Sequence, residues 1–266
     1  NDPTLSVDLS EATQAVKENR FEDALALFEI ILKNHPDNID ALYLASVSSR
    51  YLKRFDDSHK YIESLLLNAP DMGRAYQELG HINRDMGNEE KAAINYRQAC
   101  ELNPALLSSW NLLYQYFIKN KNQPAADHAK QQIEKLQSLP PALLYIDQIL
   151  NEGRLGLAER QCRAFLKKNP THTYAMSLLS EIANRLGYFD DAEFLLEKAV
   201  EFKPNDGDLR MQYAAILRKK QKFAKTMEQV NILCDQYPDN PIYQAQKASE
   251  IMQNGDHAQA ITMFDN

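Results

Sequence analysis

Apolar residues in this chain gather into short amphipathic stretches with helical spacing, and the stretches come in pairs. The segment GNEEKAAINYRQACELNP at 87–104 holds Gly, Ala and Pro at offsets that return in GYFDDAEFLLEKAVEFKP at 187–204. GRLGLAERQCRAFLKKNP at 153–170 keeps them more loosely. Prolines measure the period. Pro36, Pro70 and Pro104 stand 34 residues apart, as do Pro170, Pro204 and Pro238, while the step from 104 to 170 is 66. Between the two stretches of a pair lies a turn signal, seen at Gly87, Gly153, Gly187 and the final Gly255, and Ala24, Ala92, Ala158, Ala192 and Ala260 sit five residues after a turn. Turns are therefore expected near residues 19, 53, 87, 121, 153, 187, 221 and 255, with a helix on either side of each.

The residue types at these offsets have a physical reading. Small residues such as Gly80 and Ala92 let two helices approach closely, and larger ones such as Leu79, Tyr96 and Phe165 fill the space between pairs. A proline after the second helix stops it and sets up the next turn. One pair cannot bury its apolar faces alone, so neighbouring pairs must stack.

A 34-residue period with two amphipathic segments resembles the tetratricopeptide repeat, patterned W-x2-L-G-x2-Y, then A-x3-F, then P. The third repeat carries it best, with Tyr76, Leu79, Gly80, Gly87, Ala92, Tyr96, Ala99 and Pro104, and Trp110 and Leu113 open the fourth in the same phase. The sixth has Leu179, Gly187, Ala192, Leu196, Ala199 and Pro204. The second departs, with Ala45, Ser46 and Ser58 at small-residue positions and Lys53 at the turn. The resemblance covers about residues 5–266 and implies an all-α, right-handed superhelical solenoid of antiparallel helix pairs. Seven repeats are full and an eighth is truncated inside its second helix, at HAQAITMFDN, so the natural protein is expected to continue. One seam interrupts the rhythm near 138–142, where LQSLPPALLYIDQIL places Pro140 and Pro141 at a regular turn and divides repeats 1–4 (5–139) from repeats 5–8 (140–266). Either the second helix before it is extended or the first helix after it is clipped, and a changed stacking angle is expected there. Leu139, Leu143 and Leu144 argue against a flexible linker.

Composition narrows the function classes. The 266 residues are 44% hydrophobic and 25% charged, ordinary for a soluble protein. With 30 Lys and Arg against 37 Asp and Glu, the net charge of −7 argues against a general nucleic-acid binder. No apolar run approaches the ~20 residues that span a bilayer, so no membrane insertion is expected. Cys100, Cys162 and Cys234 have neither disulfide-framework nor metal-ligand spacing. Buried free thiols fit a reducing, cytoplasmic compartment.

Candidate chemistry is sparse. No phosphate-binding loop, dinucleotide fingerprint, metalloprotease motif or nucleophile elbow occurs. The six histidines, His35, His59, His81, His128, His172 and His257, lack ligand spacing. The pairs Glu89–Glu90 and Asp190–Asp191 fall at the starts of second helices, where carboxylates favour the positive helix end. Trp110 occupies a packing position of the repeat. The expectation is a chain without catalytic residues, metal or cofactor.

The resemblance implies that first helices line a concave groove, at about positions 2, 5, 9, 12 and 13 of each repeat. Here these are Tyr43, Arg50 and Tyr51, then Arg74, Gln77, His81 and Arg84, then Asn111, Gln115 and Lys119. Arg50 and Arg84 are one period apart, and Arg218 holds the same position in the seventh repeat. Arginine forks and amides suit carboxylates and peptide carbonyls, so an acidic or C-terminal peptide is the expected ligand. The carboxylate clamp of the family's chaperone co-factors is not reproduced, since Gln77/His81 and Asn111/Gln115 stand at its offsets. The asparagine ladder of the eukaryotic glycosyltransferases is missing as well.

The leading reading is thus a non-catalytic protein-interaction scaffold taking a peptide or helix in its groove. A rival is the non-catalytic arm of a multidomain enzyme. The C-terminal half, LLEKAVEFKPNDGDLRMQYAAILRKKQKF followed by NPIYQAQKASEIMQNGDHAQAI, resembles the repeat region of bacterial tetratricopeptide-repeat sulfotransferases, which implies a protein-selecting arm whose catalytic domain lies outside this chain. A third reading is self-association through the apolar end of the truncated eighth repeat.

Overall fold

The structure, a computed structural model, describes residues 3–253, with side chains from residue 9 onward. Every regular element among them is a helix. The first four repeats are α1 (Pro3–Lys17) and α2 (Phe21–Asn34), α3 (Ile39–Tyr51) and α4 (Phe55–Asn68), α5 (Gly73–Asp85) and α6 (Glu89–Leu102), and α7 (Leu107–Lys119) and α8 (Gln123–Gln137). The next three are α9 (Pro141–Asn151) and α10 (Leu155–Lys168), α11 (Thr173–Arg185) and α12 (Phe189–Phe202), and α13 (Gly207–Lys219) and α14 (Phe223–Gln236). The first helix of the eighth is α15 (Pro241–Gln253). The second helix of that repeat, the turn expected at 255 and the end invoked for self-association lie outside the described residues.

The other seven turns fall where the spacing predicts them. Asn19, Lys53, Gly87, Lys121, Gly153, Gly187 and Gln221 all have positive φ, between 55° and 82°. Each ends a first helix in the same way, with the next amide reaching back to a carbonyl of the last turn. Arg54 donates to Ser49, Asn88 to Asn83 and Tyr188 to Ala183, each at 2.8 Å. Such bonds satisfy carbonyls that the helix end would otherwise leave bare. Three of the seven turn residues are glycine, for which this backbone region carries no side-chain penalty.

Second helices stop on cue. α2, α4, α6, α10, α12 and α14 each end two residues before Pro36, Pro70, Pro104, Pro170, Pro204 and Pro238. At the double proline α8 runs to 15 residues and α9 to only 11, where other second helices from α2 to α14 have 14 and first helices from α3 to α15 have 13. Extension and clipping both occur.

The two helices of a repeat meet at the small residues. An ideal Cβ on Gly80 would lie 2.4 Å from Cε1 of Tyr96, so only glycine lets α5 come this close to that ring. In the second repeat the Ser46 hydroxyl donates to the Ser58 carbonyl at 2.9 Å, and the Ser58 hydroxyl to the Ser46 carbonyl at 2.8 Å. In the sixth, the Ser180 hydroxyl donates to the Ala192 carbonyl at 3.1 Å. The departures at Ser46 and Ser58 are thus resolved by reciprocal bonding in place of a bare methyl contact.

The chain divides into two compact units, Asn1–Leu144 and Tyr145–Asn266, the division falling within α9. In the N-terminal unit each helix from α1 to α8 packs on the next, and α3 touches both α1 and α5. Its core includes Phe28, Ile31, Ile62, Leu65, Ile82 and Leu113. Burying each such side chain stabilises by about 1.5–3 kcal/mol. In the C-terminal unit α10 to α15 pack in succession around Ile182, Leu196 and Leu217.

Candidate functional site

The ten residues expected to line a groove lie on α3, α5 and α7, all in the N-terminal unit. Their side chains are differently engaged. Arg50 does not project into solvent. Its side chain is 9% exposed, and its Nε donates to Oε1 of the 2%-exposed Glu78 at 2.5 Å while Nη1 reaches Oδ2 of Asp85 at 3.0 Å. The expectation of Arg50 as an open donor is therefore corrected. A buried guanidinium must be paired, and its partners sit on the neighbouring first helix. Arg84 is exposed, and its Nε and Nη2 both donate to Oδ1 of Asp85, at 3.1 and 2.9 Å. One period of sequence thus separates two different environments. Arg218 is likewise paired, with Glu250 on α15.

Several of the others form local contacts. Arg74 lies over the Tyr43 ring, 5.0 Å from its centroid. Gln77 donates to the Ser109 hydroxyl at 2.8 Å, tying α5 to α7, and Asn111 donates to the Leu107 carbonyl at 2.9 Å. His81 Nδ1 is 2.9 Å from the Tyr96 hydroxyl. Trp110 packs, donating through its ring nitrogen to the Pro104 carbonyl at 2.9 Å and meeting His128 edge-on.

Three of the expected residues, Arg84, Gln115 and Lys119, converge on one cleft of about 180 Å³ between α5, α6 and α7. Ala92, Ala93 and Tyr96 of α6 and Leu112 and Tyr116 of α7 make its apolar lining. Lys119 and Glu89 join at its rim, with Nζ 2.8 and 2.5 Å from the two carboxylate oxygens. Tyr96, held by the His81 bond and the close approach of Gly80, forms part of the rigid wall.

Electrostatics around this wall follow from burial and the two arginines. Burial, reinforced by Arg50 and Arg84, lowers His81 from the usual 6.5 to about 4, so the ring is neutral at physiological pH. Burial raises the Tyr96 phenol, which stays protonated and able to donate. Burial pulls Arg50 down, but Glu78 and Asp85 more than reverse this and hold it above the ordinary arginine range. Asp85, against its own burial, is lowered by hydrogen bonds from Arg84 and Arg50.

The second-helix side of the cleft was not among the expected residues, although a signal for it is visible. Ala93 stands where the other full repeats carry Leu25, His59, Asp127, Glu159, Glu193 and Met227, all larger. That second small residue, beside Ala92, is part of the cleft lining. Cys100, Cys162 and Cys234 are buried free thiols, and burial pushes the first two up to about 12. Among the described residues no group of three or more His, Cys, Asp or Glu could hold a metal ion, and no helix is long and apolar enough to cross a membrane.

Comparisons with known proteins place these helix pairs. The chain is similar to a structure described as Naa15/Naa10 bound to HypK-THB, at 15% identity over 93% of this chain with a TM-score of 0.45, and it spans 39% of that chain. It is similar to MamA at 14% identity over 73% of this chain and 94% of that one, TM-score 0.42. Similarity to the APC/C hetero-tetramer Cut9-Hcn1 stands at 16% identity over 99% of this chain and 53% of that one, TM-score 0.41. One tetratricopeptide-repeat family model matches residues 73–106 and 174–206, and a second matches 9–49. Among the described residues the chain is an all-α succession of helix pairs, and it carries tetratricopeptide repeats over those three segments.

Proposed function

We propose that this chain is a non-catalytic protein-interaction scaffold and that its N-terminal unit receives a peptide or helix at the cleft between α5, α6 and α7. The observation that carries the reading is convergence. Arg84 and Gln115, named by repeat position alone, share one apolar-lined cleft with Tyr96, Leu112 and Tyr116. Apolar concavities rimmed by a few polar groups are the ordinary form of a recognition site. Their helices supply a fixed frame, since the walls are anchored by the Gln77–Ser109 and His81–Tyr96 bonds. Arg50, Glu78 and Asp85 belong to that frame. Three unpaired thiols favour a cytoplasmic location.

The experiment is affinity capture from cells that express the protein, using wild type, Gln115→Trp to obstruct the cleft, and Lys198→Glu in the C-terminal unit as control. A partner held by wild type and Lys198→Glu but lost with Gln115→Trp, at unchanged melting temperature, supports the site. Retention by all three variants rejects it. The reading as a sulfotransferase arm rests on the phrasing of the C-terminal repeats, and a phosphate-binding loop in the reading frame beyond residue 266 is its test.

A further inference from the structure

We infer that the α5–α6–α7 cleft accepts one uncharged aromatic side chain of a partner segment, in place of the acidic ligand that its arginines first imply. This rests on the proposed site and names what enters it.

Size is the first argument. A cavity of about 150 Å³ lined by apolar side chains holds a benzene ring. The cleft, at about 180 Å³, has room for one ring and little more. Its lining is matched to that occupant, with the methyls of Ala92, Ala93 and Leu112 and the rings of Tyr96 and Tyr116. Aromatic rings pack well against one another edge-on or offset.

Charge is the second argument. Both cations at the rim are already matched. Lys119 engages both oxygens of Glu89, and Arg84 directs two nitrogens to Asp85. A further arginine of this region, Arg50, is buried against Glu78 and Asp85. The two rim pairs together carry no net charge. An incoming carboxylate would have to break an existing pair and would then face the displaced Glu89 or Asp85 at short range. An uncharged ring meets neither cost.

Polarity at the mouth is the third. The exposed Gln115 amide makes no side-chain hydrogen bond among the described residues and is free to take the backbone of the segment that carries the ring.

The test uses two probes on the whole chain with methyl-labelled alanine and leucine, followed by nuclear magnetic resonance. N-acetyl-phenylalaninamide should shift the Ala92, Ala93 and Leu112 methyls at millimolar concentration, with affinity changing less than twofold between 0.05 and 0.5 M NaCl. Gln115→Trp should weaken that binding at least tenfold, and the N-acetyl amide of glutamate should leave the same methyls unmoved. Equal shifts from the glutamate probe overturn the inference, as does silence from both probes. If the methyls stay silent while the captured partner is still lost with Gln115→Trp, the site stands and the aromatic assignment falls. If the ring binds while partner capture ignores Gln115→Trp, the assignment of the occupant holds and the proposed function fails.

Discussion

Arg50 on α3 and Glu78 on α5 form a buried ion pair, with Nε 2.5 Å from Oε1 and side chains 9% and 2% exposed. The pair joins the first helices of adjacent repeats and reaches on to Asp85. Removing one member of a buried pair leaves the other desolvated and unmatched, at a cost of about 3–5 kcal/mol. Arg50→Ala should lower stability by that amount in denaturant titration. Arg50→Met combined with Glu78→Leu should recover most of it, because an apolar replacement of the whole pair leaves no orphan charge.

Gly80 should tolerate nothing larger. A methyl there meets the Tyr96 ring at 2.4 Å, and overpacking of this kind costs about 1–3 kcal/mol. Gly80→Ala should fall in that range by thermal unfolding. Combined with Tyr96→Leu, the two effects should be strongly non-additive, since the shorter side chain removes the clash.

Four turns hold a non-glycine residue at positive φ, and Lys53, Lys121 and Gln221 among them are exposed. A side chain in this region costs about 1 kcal/mol relative to glycine. Lys53→Gly, Lys121→Gly and Gln221→Gly should each raise the melting temperature, and Gly187→Ala should lower it.

His81 sets a pH dependence. Its folded value, about 4, lies below its unfolded 6.5. As pH falls through this window the unfolded chain takes up a proton that the folded chain refuses, so stability falls, by about 3 kcal/mol once the window is crossed. Above pH 6.5 the group contributes no slope. The charged groups facing it are Arg50, Arg84 and Asp85, all present in both proteins when wild type is compared with His81→Asn. The difference in unfolding free energy between the two, measured from pH 7 to 4, should change in favour of the variant as pH drops. A flat difference would place the ring in solvent.

How far these features can be read from the chain depends on their range in sequence. The proline ruler located the ends of six second helices, and the turn spacing located seven backbone reversals, four of them at residues that carry a side chain. Those are local properties, set within a few residues. The close approach at Gly80 was legible because small residues recur in register. The state of Arg50 was not, because its partner lies 28 residues away on another helix and nothing in the spacing marks Glu78 as buried. Nor did the repeat positions point to Tyr96 and Ala93 as walls of a site. The sequence mark of Ala93 is an omission, a small residue where the other full repeats place a larger one, and repeat arithmetic looks for what is present.

The central claim, that a partner enters between α5, α6 and α7, is tested most directly by placing a photo-crosslinking amino acid at Gln115 and, separately, at Lys198, and irradiating in cells that make the protein. A defined adduct from residue 115 and none from residue 198, disappearing when Ala93→Leu fills the cleft, is the predicted result. Adducts from residue 198 alone, or an adduct at 115 that ignores Ala93→Leu, would contradict it.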